Sequence, residues 1–200
     1  MNINWTEIKN FKSSEFAEDP TELAEPQLLL NLDRARDLLK QKIFPSPIKG
    51  SLARLGGSDT SQHYIGPKND VRVRKTTASD VFIEGTPFSN YSNLVGSGLF
   101  NGIGIYLDTN GPDGMPWVMT HVDIRPKGFG LGLPLIWIVE RIWNAKKKRK
   151  MDTYRYPQAH PQYWRLFSDS RLFETKQFRI PKAPTVNADN LGRVTPNGTK

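Results

Sequence analysis

Cysteine is absent from all 200 residues. Disulfides and thiolate metal sites are therefore excluded, and any bound metal must be held by imidazoles and carboxylates. Histidine is scarce too, with only His63, His121 and His160. No apolar run approaches the ~20 residues of a membrane-spanning helix. The longest, Leu131 to Trp143, is interrupted by Pro134 and Glu140. Apolar residues make up only 37% of the chain, which points to part of it lying outside a packed core.

Positive charge, by contrast, is in excess. Lys and Arg number 28 against 20 Asp and Glu, a net charge of +8 that suits a polyanionic partner. Five of these charges are consecutive in "AKKKRK", residues 145–150. A solvated helix end accounts for them, because cations favour the C-terminal dipole. The competing reading is a nucleic-acid site, with the aromatics that follow as stacking partners. No nucleic-acid recognition fold accompanies the run, so nucleic acid is not the expected partner.

The pattern of apolar residues predicts a mixed α+β chain. "FKSSEF", residues 11–16, reads as an N-terminal anchor with two Phe flanking a polar turn. "PQLLLNLDRARDLLKQ" places Leu28, Leu29, Leu32, Ala35, Leu38 and Leu39 at helical spacing, with Asp33, Arg34, Arg36 and Asp37 on the other face. Pro26 suits its first turn, and the prolines of "FPSPIKG" end it. "DVRVRK" (70–75), "GIGIYLD" (102–108) and "WVMTHVDIR" (117–125) read as strands. The last two form a hairpin across the turn "NGPDG". "VFIE" (81–84) is a strand or the start of a short helix. Pro134 and the face Leu135, Ile138, Val139, Ile142 and Trp143 predict a second helix running to the lysines. An aromatic and arginine-rich stretch follows (154–178), then a polar arm (180–200).

The chemistry concentrates around the histidines. "SQHYIGPKND" is S-x-H-x-x-G-x-x-x-D, from Ser61 through His63 and Gly66 to Asp70. Seven residues do not put His63 and Asp70 on one helical face. They suit a loop ligand followed by a ligand at the head of a strand, with Gly66 turning the chain. A third ligand must come from elsewhere. His121 sits in "MTHVD", where alternation places His121 and Asp123 on the face opposite Thr120 and Val122. Asp123 either orients His121 from behind or belongs to the adjacent edge of the site. His160 has no visible partner in the sequence.

"SQHYIGPKND", the preceding "GGSDT", the anchor and helix, and "GIGIYLD…MTHVDIR" resemble, in order, the zinc D-Ala-D-Ala carboxypeptidase and L-Ala-D-Glu endopeptidase family. The phage and bacterial branch is meant, and the family shares its fold with the hedgehog signalling domain. The resemblance covers about residues 8–126. It implies a small antiparallel sheet with packed helices and a Zn2+ ion on His63, Asp70 and His121. Ser61 and Asp123 would lie behind these ligands. It also implies cleavage of peptidoglycan stem peptides by metal-activated water. Three positions differ from the family pattern. Lys68 stands where a small residue is usual, and Val118 where many members carry an acid. The arginine that many members place upstream for substrate has no counterpart in register, Arg54 being the only one nearby. The nearest upstream acid, Asp113, is the candidate base, and no substrate-binding residue is assigned.

The expected organisation is a peptidase-like domain (1–130), a C-terminal helix with the aromatic and basic segment (131–179), and an extended arm (180–200). The first sixteen residues lack the apolar core of a secretion signal. The expected setting is a phage virion or the host cytoplasm before lysis, with no membrane partner. The alternative is a phage structural or assembly protein on a peptidase-derived fold, contacting other virion proteins through residues 131–200.

Overall fold

The computed structural model describes residues 3–56, 61–66, 74–83, 87–110, 116–126 and 133–165. Among the described residues three α-helices are formed, α1 (Pro20–Leu23), α2 (Pro26–Leu39) and α3 (Pro87–Ser97). Six strands follow the chain as β1 (Ile43–Pro45), β2 (Ala78–Ile83), β3 (Gly102–Asn110), β4 (Pro116–Asp123), β5 (Leu135–Asn144) and β6 (Arg149–Arg155). They build one sheet in the order β1-β2-β4-β3-β5-β6. All neighbours are antiparallel except β3 and β5. The architecture is thus α+β, and β3 and β4 pair antiparallel as the turn signal predicted.

Strand alternation divides the sheet into two faces. Register places Val81, Thr120, Ile105 and Ile138 in one cross-strand row, and Ser79, Val122, Ile103 and Ile136 in the next. The apolar members of these rows join one core with Leu28, Leu29 and Leu32 of α2 and Leu94 of α3. The opposite face carries Asp80, His121, Gly104 and Trp137 in a single row. The helical layer therefore leaves one face of the sheet free for polar chemistry.

Helix α2 forms where the spacing predicts, with Pro26 in its first turn. It stops earlier than the prolines require. Lys40 adopts a left-handed conformation (φ 50°) and its N–H caps Arg36 O, so Ile43–Pro45 is released to pair as an edge strand. Leu38 is exposed, whereas Asp33 is buried. Part of the polar face receives the N-terminal segment, while Arg34 and Asp37 stay exposed. Asn10 N–H donates to Asp33 Oδ1 at 2.6 Å, and the Arg36 guanidinium lies 4.0 Å from the Phe11 ring centre. Phe11 and Phe16 are buried with ring centres 5.8 Å apart, around a 3-10 turn at Ser13–Glu15. "FKSSEF" is the anchor its composition suggested.

The expected C-terminal helix is not formed. Leu135–Asn144 is a strand, and with β6 it makes a hairpin whose turn holds the lysine run. Asn144 Oδ1 accepts the N–H of Lys147 at 3.0 Å, a side-chain bond that closes the hairpin turn, and Lys148 is left-handed (φ 48°). Pro134 precedes the strand rather than opening a helix. Residues 136–139 are buried on both faces, so no period-2 alternation marks them as a strand. Helix α3 was not anticipated. Most of the "DVRVRK" strand, and everything beyond residue 165, lies outside the described residues.

Replacing Phe11 with Ala removes a buried ring from the joint between the N-terminal segment and α2. The expected loss is about 3–5 kcal/mol in urea unfolding. A loss under about 1 kcal/mol would mean that this segment does not dock.

Candidate metal centre

Two strands and one loop bring the site together. Asp80 on β2 lies directly opposite His121 on β4. His63 arrives from the loop, held by backbone bonds from Arg54 N–H to His63 O (2.8 Å) and from Ile65 N–H to Arg54 O (3.0 Å). Gly66 follows with φ 101°, a turn that a side chain would strain. Asp80 is pinned by its own backbone. Its N–H donates to Ser51 O at 2.9 Å, and its carbonyl accepts from Ser46 N–H at 2.8 Å.

Three ligand-type atoms converge from these positions. His63 Nε2 is 3.1 Å from Asp80 Oδ1, His121 Nδ1 is 2.9 Å from the same oxygen, and the two nitrogens are 3.0 Å apart. The residues are 3%, 5% and 6% exposed for His63, Asp80 and His121. Among the described residues, His63, Asp80 and His121 are also the group whose donor atoms lie close enough together to share one metal ion.

The outer sides of both imidazoles are committed. His63 Nδ1 faces the Leu52 carbonyl at 3.1 Å, and a carbonyl can only accept, so Nδ1 carries the proton. His121 Nε2 faces Asp123 Oδ2 at 3.1 Å and donates to it. In the neutral rings, the inner nitrogens are then both bare lone pairs pointing at each other and at a carboxylate oxygen. Such a cluster requires a cation among its three atoms, either a proton or a metal. The carbonyl and carboxylate behind the rings are the partners that metal-ligating histidines usually have. A tetrahedral zinc ion holds its ligand atoms about 3.3 Å apart. The trio fits this with movements of a few tenths of an ångström.

Electrostatics agree. Burial pushes the Asp80 and Asp123 carboxyls up. The imidazoles of His121 and His63 beside Asp80, and Arg125 and His121 beside Asp123, outweigh it by hydrogen bonding and charge and hold both carboxyls well below the usual carboxylate range. Burial also pulls His121 down, but its bonds to Asp123 and Asp80 raise it to about 9. Arg125 Nε donates to Asp123 Oδ1 at 2.7 Å, so His121, Asp123 and Arg125 form a relay along one face of the chain.

Two glycines make room for this layer. A Cβ on Gly102 would lie 2.3 Å from Asp123 Oδ2, and one on Gly104 would lie 2.3 Å from Trp137 Cε2. The Trp137 indole therefore rests on bare β3 backbone, with its ring centre 5.1 Å from that of His121. The opposite edge is open. A cleft of about 310 Å³ is lined by Asp80, Arg54, Lys49, Tyr106, Met119 and Arg141, among others. Arg54 reaches Asp80 Oδ2 at 3.4 Å and is half exposed at the rim.

His63 and His121 are thus brought together. Asp123 takes the position behind His121 rather than a ligand position. Ser61 supports the His63 loop, its Oγ accepting the His63 N–H at 3.3 Å. Asp70, Lys68 and Asp113 lie outside the described residues. His160 stacks edge-on to Tyr163, away from the cluster. The carboxylate in the trio is Asp80, which the sequence reading missed. A signal for it was present: Ala78-Ser79-Asp80 supplies the small residue, any residue, Asp order that the resemblance expects, ten positions after Lys68-Asn69-Asp70. Comparison of the chain with protein-family models, curated proteins and solved structures gave no match.

Two measurements test this geometry. Without metal, the raised His121 contributes stability that is full below its ordinary value near 6.5 and is lost as pH rises through about 9. Metal binding requires that proton to leave, so the zinc-induced rise in Tm should grow between pH 6 and 9 while the metal-free Tm falls. A zinc effect that is absent or flat in pH would contradict the trio. Gly104→Ala should cost about 1–3 kcal/mol by forcing the indole off β3. The penalty should shrink in a Trp137→Leu background, and an unchanged penalty would rule out this contact.

Proposed function

We propose that the chain is a zinc-dependent peptidase of the peptidoglycan-cleaving, hedgehog-like type, acting on stem peptides. The supporting observation is the buried His63–Asp80–His121 trio, with both outer nitrogens bonded and with Asp80 opening onto a cleft. A zinc ion bound there supplies Lewis-acid polarisation of a peptide carbonyl and a water acidic enough to attack it at neutral pH.

The chain's own residues do the rest. Leu52 O and Asp123 hold the two imidazoles so that His63 Nε2 and His121 Nδ1 face the ion. The Arg125 pairing keeps Asp123 ionised and in place. Trp137 closes the sheet side of the centre against water. Lys49, Arg54 and Arg141 line the cleft, Arg54 paired with Asp80 and Arg141 with Asp152, and are the groups there that could meet a substrate's free carboxylates. The proton acceptor is proposed as Asp113, the acid upstream of His121 in sequence.

The assembly-protein alternative rests on the apolar face Leu135 to Trp143, the aromatic and arginine-rich stretch 154–178 and the polar arm 180–200. The first is a strand whose inner half completes the core, and residues 166–200 lie outside the described residues.

Metal analysis and muropeptide cleavage test the proposal together. Wild type should carry about one zinc per chain and release new amine termini from peptidoglycan. His63→Ala and Asp80→Asn should lose the metal and the activity, whereas Asp70→Asn should keep the metal. Asp113→Asn should keep the metal and lose rate by a factor of about 10²–10⁴ if it is the base. A metal-free wild type, or intact muropeptides after zinc loading, would overturn the peptidase reading.

A further inference from the structure

The face that carries the trio continues past the cleft. On β5, Trp137, Val139, Arg141 and Trp143 alternate toward the same side as His121, since Trp137 pairs with Gly104 and Val139 with Tyr106. On β6, Tyr154 lies opposite Val139, Asp152 opposite Arg141, and Lys150 opposite Trp143. The cleft that begins at Asp80 reaches Arg141 and Asp152. The next pair outward is Trp143 and Lys150. Six residues of strand put Trp143 roughly 20 Å beyond Trp137.

The hairpin end is both aromatic and strongly basic. Trp143 is 61% exposed, and Tyr154 is half exposed on the same face. Lys146, Lys147, Lys148, Arg149 and Lys150 are all exposed, and none takes part in an ion pair among the described residues. Charges on an edge strand guard against sheet-to-sheet aggregation, which accounts for Arg149 and Lys150 on β6. It does not account for a tryptophan left in water beside them. An aromatic ring with cations around it is a binding surface of the kind found at interface centres.

We propose that Trp143, Tyr154 and the cations of residues 146–150 form a docking strip for the glycan-peptide polymer of the cell wall. The strip holds the carboxylate-bearing polymer while a peptide stem enters the Asp80 cleft. The apolar C–H face of a sugar ring lies flat on an indole, and the lysines meet the carboxylates. The choice of this polymer rests on the peptidase reading, because the strip is continuous with that cleft.

The test is co-sedimentation of the full chain with purified peptidoglycan sacculi stripped of secondary polymers, in EDTA so that binding is separated from metal and cleavage. Trp143→Ala, and separately Lys146→Glu with Lys147→Glu, should each weaken binding about tenfold. Trp143→Tyr should retain most of it, and wild-type binding should fall with salt. An unchanged melting temperature shows that each variant is folded. Trp143→Tyr and the salt series keep the test informative if Trp143→Ala is not. Wild-type protein that does not bind sacculi, or variants that bind as wild type does, would overturn the proposal. So would tighter binding to single-stranded DNA or anionic vesicles through the same residues. Intact cleavage with unchanged variant binding removes the strip and leaves the peptidase. Lost variant binding in a protein without zinc or cleavage keeps the strip and removes the peptidase.

Discussion

The hydrogen bond from His121 Nε2 to Asp123 decides which nitrogen of His121 turns inward, and the centre depends on it. With Nε2 committed, Nδ1 meets Asp80 and His63. The Leu52 carbonyl imposes the matching choice on His63. Neither acceptor can donate a proton, so the arrangement is not interchangeable. Asp123 is fully buried and would be costly there without a partner. Arg125 and His121 together supply that compensation, and Gly102 leaves the space in which the carboxylate lies.

The sheet makes this local chemistry possible by separating its two faces. The apolar rows around Ile103, Ile105 and Val122 bind α2 and α3, and the alternate rows are left for Asp80, His121 and Trp137. A one-residue slip between β2 and β4 would send Asp80 into the core, so burial of the opposite face enforces the register of the site. The same alternation carries the face outward along β5 and β6, which links the centre to the basic hairpin.

Much of this was legible in the sequence, and the failures have physical causes. Helix α2 and the β3–β4 hairpin were readable because each has one buried face and a clear period. His121 and Asp123 were readable as one face by alternation alone. Strand β5 was misread because residues 136–139 are buried on both sides, which erases the period that separates strand from helix. The cover over Asp33 and Arg36 has no signal in the helix itself, because the segment that supplies it is distant in the chain. Spacing from His63 points to Asp70, which lies outside the described residues, whereas Asp80 is set beside both histidines by the long-range pairing of β2 with β4. Loop length can vary without moving the ends of a site.

The sequence by itself determined the ligand chemistry: without cysteine, a metal has only imidazole and carboxylate to bind, and two of the three histidines lie in segments that can supply them. It also determined the alternation that puts His121 and Asp123 on one side of a strand. Only the tertiary structure decided which carboxylate completes the trio, because that depends on β2 pairing with β4 in a register that opposes Asp80 to His121. It likewise decided that five consecutive cations cap a hairpin rather than a helix. The pairing of β5 with β3 and β6 is a long-range contact, and no local pattern in those residues encodes it.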